Sequence, residues 1–147
     1  MRHGVKKTKF HKGRDSHRAL VRKLVLNFIE HGKLETTLKR AQVVKSTVDS
    51  LTYKSLTSSE SNKNVLLRQL GDVSATKKML NEIGPAFKTG TGGFVRLIKL
   101  GQRQGDNAEV AQLTWTKNFT PKAQPTGKST KNDGKANKQL KSQKKEN

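Results

Sequence analysis

Residues 15–51 read DSHRALVRKLVLNFIEHGKLETTLKRAQVVKSTVDSL, and their pattern decides the fold. Leu20, Leu24 and Phe28, with Val21, Val25 and Ile29, recur at helical spacing. Arg18, Arg22 and Lys23 fall outside that apolar stripe. Asp15 or Ser16 is suited to cap the start of this helix, and Gly32 to stop it. Leu34-Glu35-Thr36-Thr37 is short and β-branched, which predicts one brief strand. Thr37 can then cap a second helix that carries Leu38, Ala41, Val44, Val48 and Leu51 on one face.

Toward the C-terminus, Ser55 to Ser61 is polar and reads as a loop. Val65, Leu66, Leu67 and Leu70 form a short helix that stops at Gly71. Asp72 can cap the next helix, which carries Val73, Thr76, Met79, Leu80 and Ile83 and ends at Gly84-Pro85. Lys88 to Gly93 (KTGTGG) is a loop by composition. Phe94 to Leu100 reads as a strand, Gly101 to Asn107 as a turn, and Glu109 to Thr116 as a second strand with Ala111, Leu113 and Trp115 on one face. Helices followed by a hairpin make an α+β pattern. From Pro121 onward the chain is Lys, Asn, Gln, Ser and Gly with one Leu, and the expectation there is a disordered tail.

Toward the N-terminus, the first 23 residues hold nine Lys/Arg against one acid, Asp15. The whole chain carries +20 with 31% hydrophobic residues, against ~45–50% in ordinary globular chains. Such a chain buries a small core, and its self-repulsion calls for a polyanion. Residues 1–14 contain two glycines and only Val5 and Phe10 as larger apolar side chains, so they are expected to be an extended basic arm. The division expected is an arm at 1–14, one α+β domain at 15–118 and a Lys-rich tail at 119–147.

Arg and Lys neutralise phosphates and release counterions, each contact adding roughly 0.9 to the salt slope on a duplex. The arm combines charge, glycine freedom, Phe10 and nearby histidines, and so favours RNA contact over a plain solubility tail. Arg2, Lys6, Lys7, Lys9, Lys12, Arg14 and Arg18, with His3 and His17, are the primary candidates. Arg22, Lys39, Arg40, Arg96 and Arg103 come second.

Other chemistries find little support. KTGTGG is followed by Phe94 opening a strand, whereas a phosphate-cradling loop needs Lys and Ser/Thr opening a helix. Four histidines without a cysteine, at spacings that match no common ligand set, do not predict a metal site. No paired carboxylates or nucleophile elbow point to an enzyme. No apolar run approaches the ~18 residues of a membrane span. Neither a cofactor nor a small-molecule substrate is expected, and the expected location is cytoplasmic. A DNA-binding protein has charge alone in its favour, because no recognition helix with side chains suited to base edges is evident.

Several blocks taken in order are more specific. Met1-Arg2-His3 opens the chain, Ser16-His17-Arg18 the first helix, and Glu30-His31-Gly32-Lys33-Leu34-Glu35-Thr36-Thr37 joins it to Leu38-Lys39-Arg40-Ala41. Asn81-Glu82-Ile83-Gly84-Pro85, Gly92-Gly93-Phe94-Val95-Arg96-Leu97-Ile98-Lys99 and Gly105-Asp106-Asn107-Ala108 follow. Over residues 1–116 the sequence resembles the family of the seventeenth large-subunit protein of bacterial-type ribosomes. The resemblance implies about four helices packed on a small antiparallel sheet. It implies a structural role in assembling and stabilising the large subunit on its ribosomal RNA, with the arm entering the RNA. It also implies neighbouring ribosomal proteins near the tunnel exit. Phe94 stands where that family typically has Tyr, and the tail extends past the family's usual end.

Overall fold

The computed structural model describes residues 8, 10 and 13–117. The expected arm, apart from residues 8, 10, 13 and 14, lies outside the described residues, as do residue 118 and the expected tail at 119–147.

Helix α1 (Arg14–His31) buries Val25, Phe28 and Ile29. Gly13, not Asp15 or Ser16, occupies its cap position, with extended φ and ψ and no side-chain hydrogen bond. The Gly13 carbonyl instead accepts from the His17 N–H at 3.2 Å. The helix therefore starts early enough to include Arg14, which the sequence places in the arm. Gly32 ends it as expected, at φ 75°, its N–H bonded to the Phe28 carbonyl at 2.8 Å. That left-handed conformation is open to glycine at little strain.

Strand β1 (Lys33–Thr37) leads directly into α2 (Leu38–Ser55). Thr37 sits at the cap position without a side-chain cap bond. Leu38, Ala41, Val44, Val48 and Leu51 are all buried, so the expected face is the real one. The loop is shorter than its polarity indicates, because α2 runs through Ser55 and α3 opens at Glu60. Ser55 donates its hydroxyl to the Thr52 carbonyl at 2.7 Å. A serine satisfied in this way does not break the helix.

Helix α3 (Glu60–Leu70) buries Leu66 and Leu70 and closes on Gly71 at φ 66°. Helix α4 (Val73–Lys78) is capped by Asp72, whose carboxylate accepts from the Ser74 N–H at 3.0 Å, the Ala75 N–H at 3.2 Å and the Ser74 hydroxyl at 2.9 Å. These bonds, led by the one from the Ser74 hydroxyl, hold the Asp72 pKa below its ordinary value.

Gly84-Pro85 does not end this helix. Met79–Ile83 forms a π turn and Gly84–Ala86 a further helical turn. The Gly84 N–H bonds to the Met79 carbonyl five residues back. Proline lacks an N–H and its ring clashes with the carbonyl four residues earlier in a regular helix. The widened turn just before Pro85 lets the chain continue to Phe87. Gly84 has a second constraint. A Cβ added there would overlap the Ser55 carbonyl oxygen and lie 3.1 Å from the Ser55 carbonyl carbon and 3.2 Å from the Met79 oxygen. Helix α2 thus rests directly on the Gly84 backbone.

Strands β2 (Val95–Gln102) and β3 (Glu109–Trp115) complete an antiparallel sheet of order β1-β3-β2. Strand β2 runs two residues past the expected Leu100, through a bulge between Lys99 and Gly101. Leu34 pairs with Leu113 and Val95 with Trp115, which sets Ala111, Leu113 and Trp115 toward the helices. The Val95 N–H is tied to the α2 carboxylate of Asp49 at 3.1 Å. An aromatic cluster joins α1, the end of the Gly84–Ala86 turn and the sheet: Phe28 to Trp115 at 4.7 Å, Phe87 to Trp115 at 5.4 Å, and Phe94 edge-on to Phe87 at 5.6 Å. Phe94 is buried in this contact.

Candidate nucleic-acid interface

The cations expected to meet RNA fall into distinct electrostatic classes. Arg2, His3, Lys6, Lys7, Lys9 and Lys12 lie outside the described residues. Arg14 and Arg18 are exposed on the first turns of α1. The His17 ring stacks on Phe10, with centroids 5.4 Å apart and planes at 23°. The arm's aromatic residue therefore sits against the helix that follows it.

Arg22 has a structural task that charge alone did not reveal. Its Nε donates to the Gln69 carbonyl at 3.0 Å and its Nη2 to the Arg68 carbonyl at 3.3 Å. These carbonyls belong to the last turn of α3, where helix geometry leaves acceptors without partners and the dipole is negative. Arg22 thus closes the end of α3 from α1. Gly71 makes room for it, because a Cβ there would stand 3.1 Å from the Arg22 Nη1.

Lys39 and Arg40 occupy the opposite kind of place. They lie in the first turn of α2, which carries no acidic residue. The helix dipole is positive there, so a cation is disfavoured by about 0.3–1 kcal/mol at an exposed site. A phosphate would reverse the sign of that interaction. Lys39 is exposed and Arg40 half-buried.

Arg96 is exposed on β2, opposite Thr114. Arg103 closes the β2–β3 turn instead of standing free. It meets Asp106 through two bonds, at 3.0 Å and 2.6 Å. The Arg103 hydrogen bond, then the Ala108 N–H, lowers the Asp106 pKa to about 2, and the same pair raises that of Arg103. The positive charge at this tip is locally neutralised.

The structure brings His17, Arg18 and Arg22 together along one groove, joined by Arg68 of α3. Lys39, Arg40, Arg96 and Arg103 are not part of its lining. Arg68 was missed from sequence, since a basic residue in the last turn of a helix is ordinary dipole compensation. Lys117 was missed as well. It donates to the Ala86 carbonyl and the Thr89 hydroxyl, both at 3.0 Å, and stands 5.6 Å from the Phe87 ring centroid. It ties the end of the described chain to the body. Among the described residues no helix is long and apolar enough to cross a membrane, and no group of three His, Asp or Glu could hold a metal ion.

Comparison with known proteins bears on the same residues. The family model described as Ribosomal protein L17 matches residues 20–116. The chain belongs to the ribosomal protein L17 family. It is 37% identical to the large ribosomal subunit protein bL17 of Fervidobacterium nodosum, over 77% of this chain and 97% of that protein. It is 35% identical to the protein of that name in Thermodesulfovibrio yellowstonii, over 93% of this chain and 100% of that one. In Sulfurihydrogenibium the corresponding protein is 36% identical over 77% and 94%. The family match begins inside α1 and ends just past β3, so it spans Arg22, Lys39, Arg40, Arg68, Arg96 and Arg103. Arg14, His17 and Arg18 precede it.

Proposed function

We propose that this chain is a structural, non-enzymatic constituent of the large ribosomal subunit that binds large-subunit ribosomal RNA and stabilises its assembly. The reading rests on membership of the ribosomal protein L17 family across residues 20–116. Charge supports it independently: a chain of small core carries +20, and the cations Lys39 and Arg40 sit where an anionic partner makes them favourable. In this reading residues 1–14 are the arm that enters RNA, 15–118 the body and 119–147 a Lys-rich tail. Arg2, His3, Lys6, Lys7, Lys9, Lys12, Arg14, His17 and Arg18 carry most contacts. Lys39, Arg40 and Arg96 are secondary, and Arg22 and Arg103 contribute least because their donors are engaged within the body. The site of action is the ribosome in the cytoplasm, with neighbouring large-subunit proteins alongside.

Sedimentation tests this reading. The tagged full chain is expected in the large-subunit fraction of a gradient run at moderate salt. Deletion of residues 2–14 is expected to leave a folded body that enters subunits poorly. Recovery of the intact chain outside subunits, or normal incorporation of the truncation, counts against the function or the arm's role respectively.

A further inference from the structure

The groove between α1, α2 and α3 has a volume of about 660 Å³, within the ~300–1,000 Å³ typical of small-molecule sites. Its floor is mostly apolar, built from Val21 and Val25 of α1, Val43 and Leu51 of α2, and Val65 and Leu70 of α3, with Thr47 between the two α2 residues giving its hydroxyl to the Val43 carbonyl at 2.9 Å. Its rim is cationic: Arg18, Arg22 and Arg68 line it beside the His17 ring, and no acidic residue does. Arg22 is spent on the α3 carbonyls, so it fixes the width of the groove. Arg18 and Arg68 are exposed beside it. The stacked Phe10–His17 pair stands where α1 enters the groove.

An occupant must match an apolar floor under a rim of guanidinium groups. Neither end of this chain does, because residues 1–13 carry five Lys/Arg without an acid and 118–147 eight Lys against two acids. An anion with a flat apolar body fits. Guanidinium forks suit phosphate oxygens better than a point charge does. Unstacked bases are held on aromatic rings and guanidinium planes and bonded at their edges. Gln69, also at the rim, offers an amide for such an edge.

We infer that this groove receives one unpaired nucleotide of ribosomal RNA, its base against Val21, Val43 and Val65 and its phosphate on Arg18 and Arg68. The inference rests on the ribosomal RNA-binding reading above and assigns the body its own RNA site, separate from the arm. Arg22 is a positioning residue here.

The test uses the full chain and purified large-subunit ribosomal RNA, with duplex DNA at equal salt as competitor. Val43→Trp fills the groove from α2 without altering charge, and is expected to weaken RNA binding roughly 10-fold with an unchanged salt slope. Arg68→Gln is expected to lower the salt slope by about 0.7, the value for one contact to a single strand. Lys63→Ala, in an exposed pair with Glu60 on the same helix, should bind as wild type does. Melting curves confirm that each variant is folded. A photoreactive residue at Val65 in assembled subunits should crosslink to one unpaired nucleotide. Wild-type affinity and slope in both groove variants, or a crosslink to protein, overturns the groove assignment and leaves the family function intact. Equal binding of wild type to DNA and ribosomal RNA overturns the underlying reading instead.

Discussion

Gly84→Ala distinguishes a glycine chosen for helix ending from one chosen for close contact. Gly84 has helical backbone angles, φ −52° and ψ −56°. By propensity alone, alanine there should stabilise the helix by about 0.8–1 kcal/mol. The packing opposes this. The new methyl would overlap the Ser55 carbonyl oxygen and press on the Ser55 carbonyl carbon at 3.1 Å and the Met79 oxygen at 3.2 Å. Both neighbours are backbone, and neither can rotate away. Overpacking typically costs ~1–3 kcal/mol, and rigid backbone contacts belong at the upper end. The net is a loss of about 2 kcal/mol, from ~3 for overlap less ~1 for propensity. For a body of this size that lowers Tm by roughly 10 °C.

The assay is thermal and urea unfolding of the full chain followed by helical circular dichroism. Gly92→Ala serves as control, because its Cβ would meet nothing within 4 Å. That control should be neutral or slightly stabilised through the unfolded state. The Gly84 variant should unfold at lower urea with an unchanged m-value. A Tm equal to or above wild type would refute the contact between α2 and the turn after Ile83, and restore the simple reading of Gly84 as a helix stop.

Other perturbations probe separate parts of the body. Asp72→Ala removes two N–H bonds at the start of α4 and should lower stability by about 1 kcal/mol in urea unfolding, while Asp72→Asn, itself a good cap, should lose much less; equal losses would argue against capping. Phe28→Ala opens the aromatic cluster and should cost about 3–5 kcal/mol, with a red shift in emission from Trp115, the single tryptophan; unchanged emission contradicts the 4.7 Å contact. The Asp106 carboxylate should titrate by NMR near pH 2 rather than 3.8. Because its folded pKa is depressed, its contribution to the hairpin is present above pH 3.8 and is lost as the pH falls through about 2. Arg103→Gln should return the midpoint toward the ordinary value, and a midpoint unmoved by that change denies the pair. Lys39→Gln should raise the stability of the free chain by about 0.3–1 kcal/mol while reducing its affinity for ribosomal RNA; a loss of stability would place the residue outside the dipole's reach.

Local chemistry made most of the body legible in sequence. Gly32 and Gly71 stop helices because the left-handed backbone they adopt is written into a single residue. Asp72 caps because its partners lie two and three residues ahead. The α2 stripe is buried because period alone fixes a face. Two features that local pattern did not show depend on partners distant in the chain. Gly84 answers to Ser55, and Arg22 answers to carbonyls 46 and 47 residues away. A composition of arginines and lysines therefore identifies an anionic partner but cannot rank its own cations. Ranking requires asking what each charge already faces. Arg22 faces the negative end of α3 and Arg103 faces Asp106, so both are stabilising before any partner arrives. Lys39 and Arg40 stand at the positive end of α2, where a cation is unfavourable in the free chain. A cation that the free fold tolerates at a loss is better evidence for a binding surface than one whose charge is already answered.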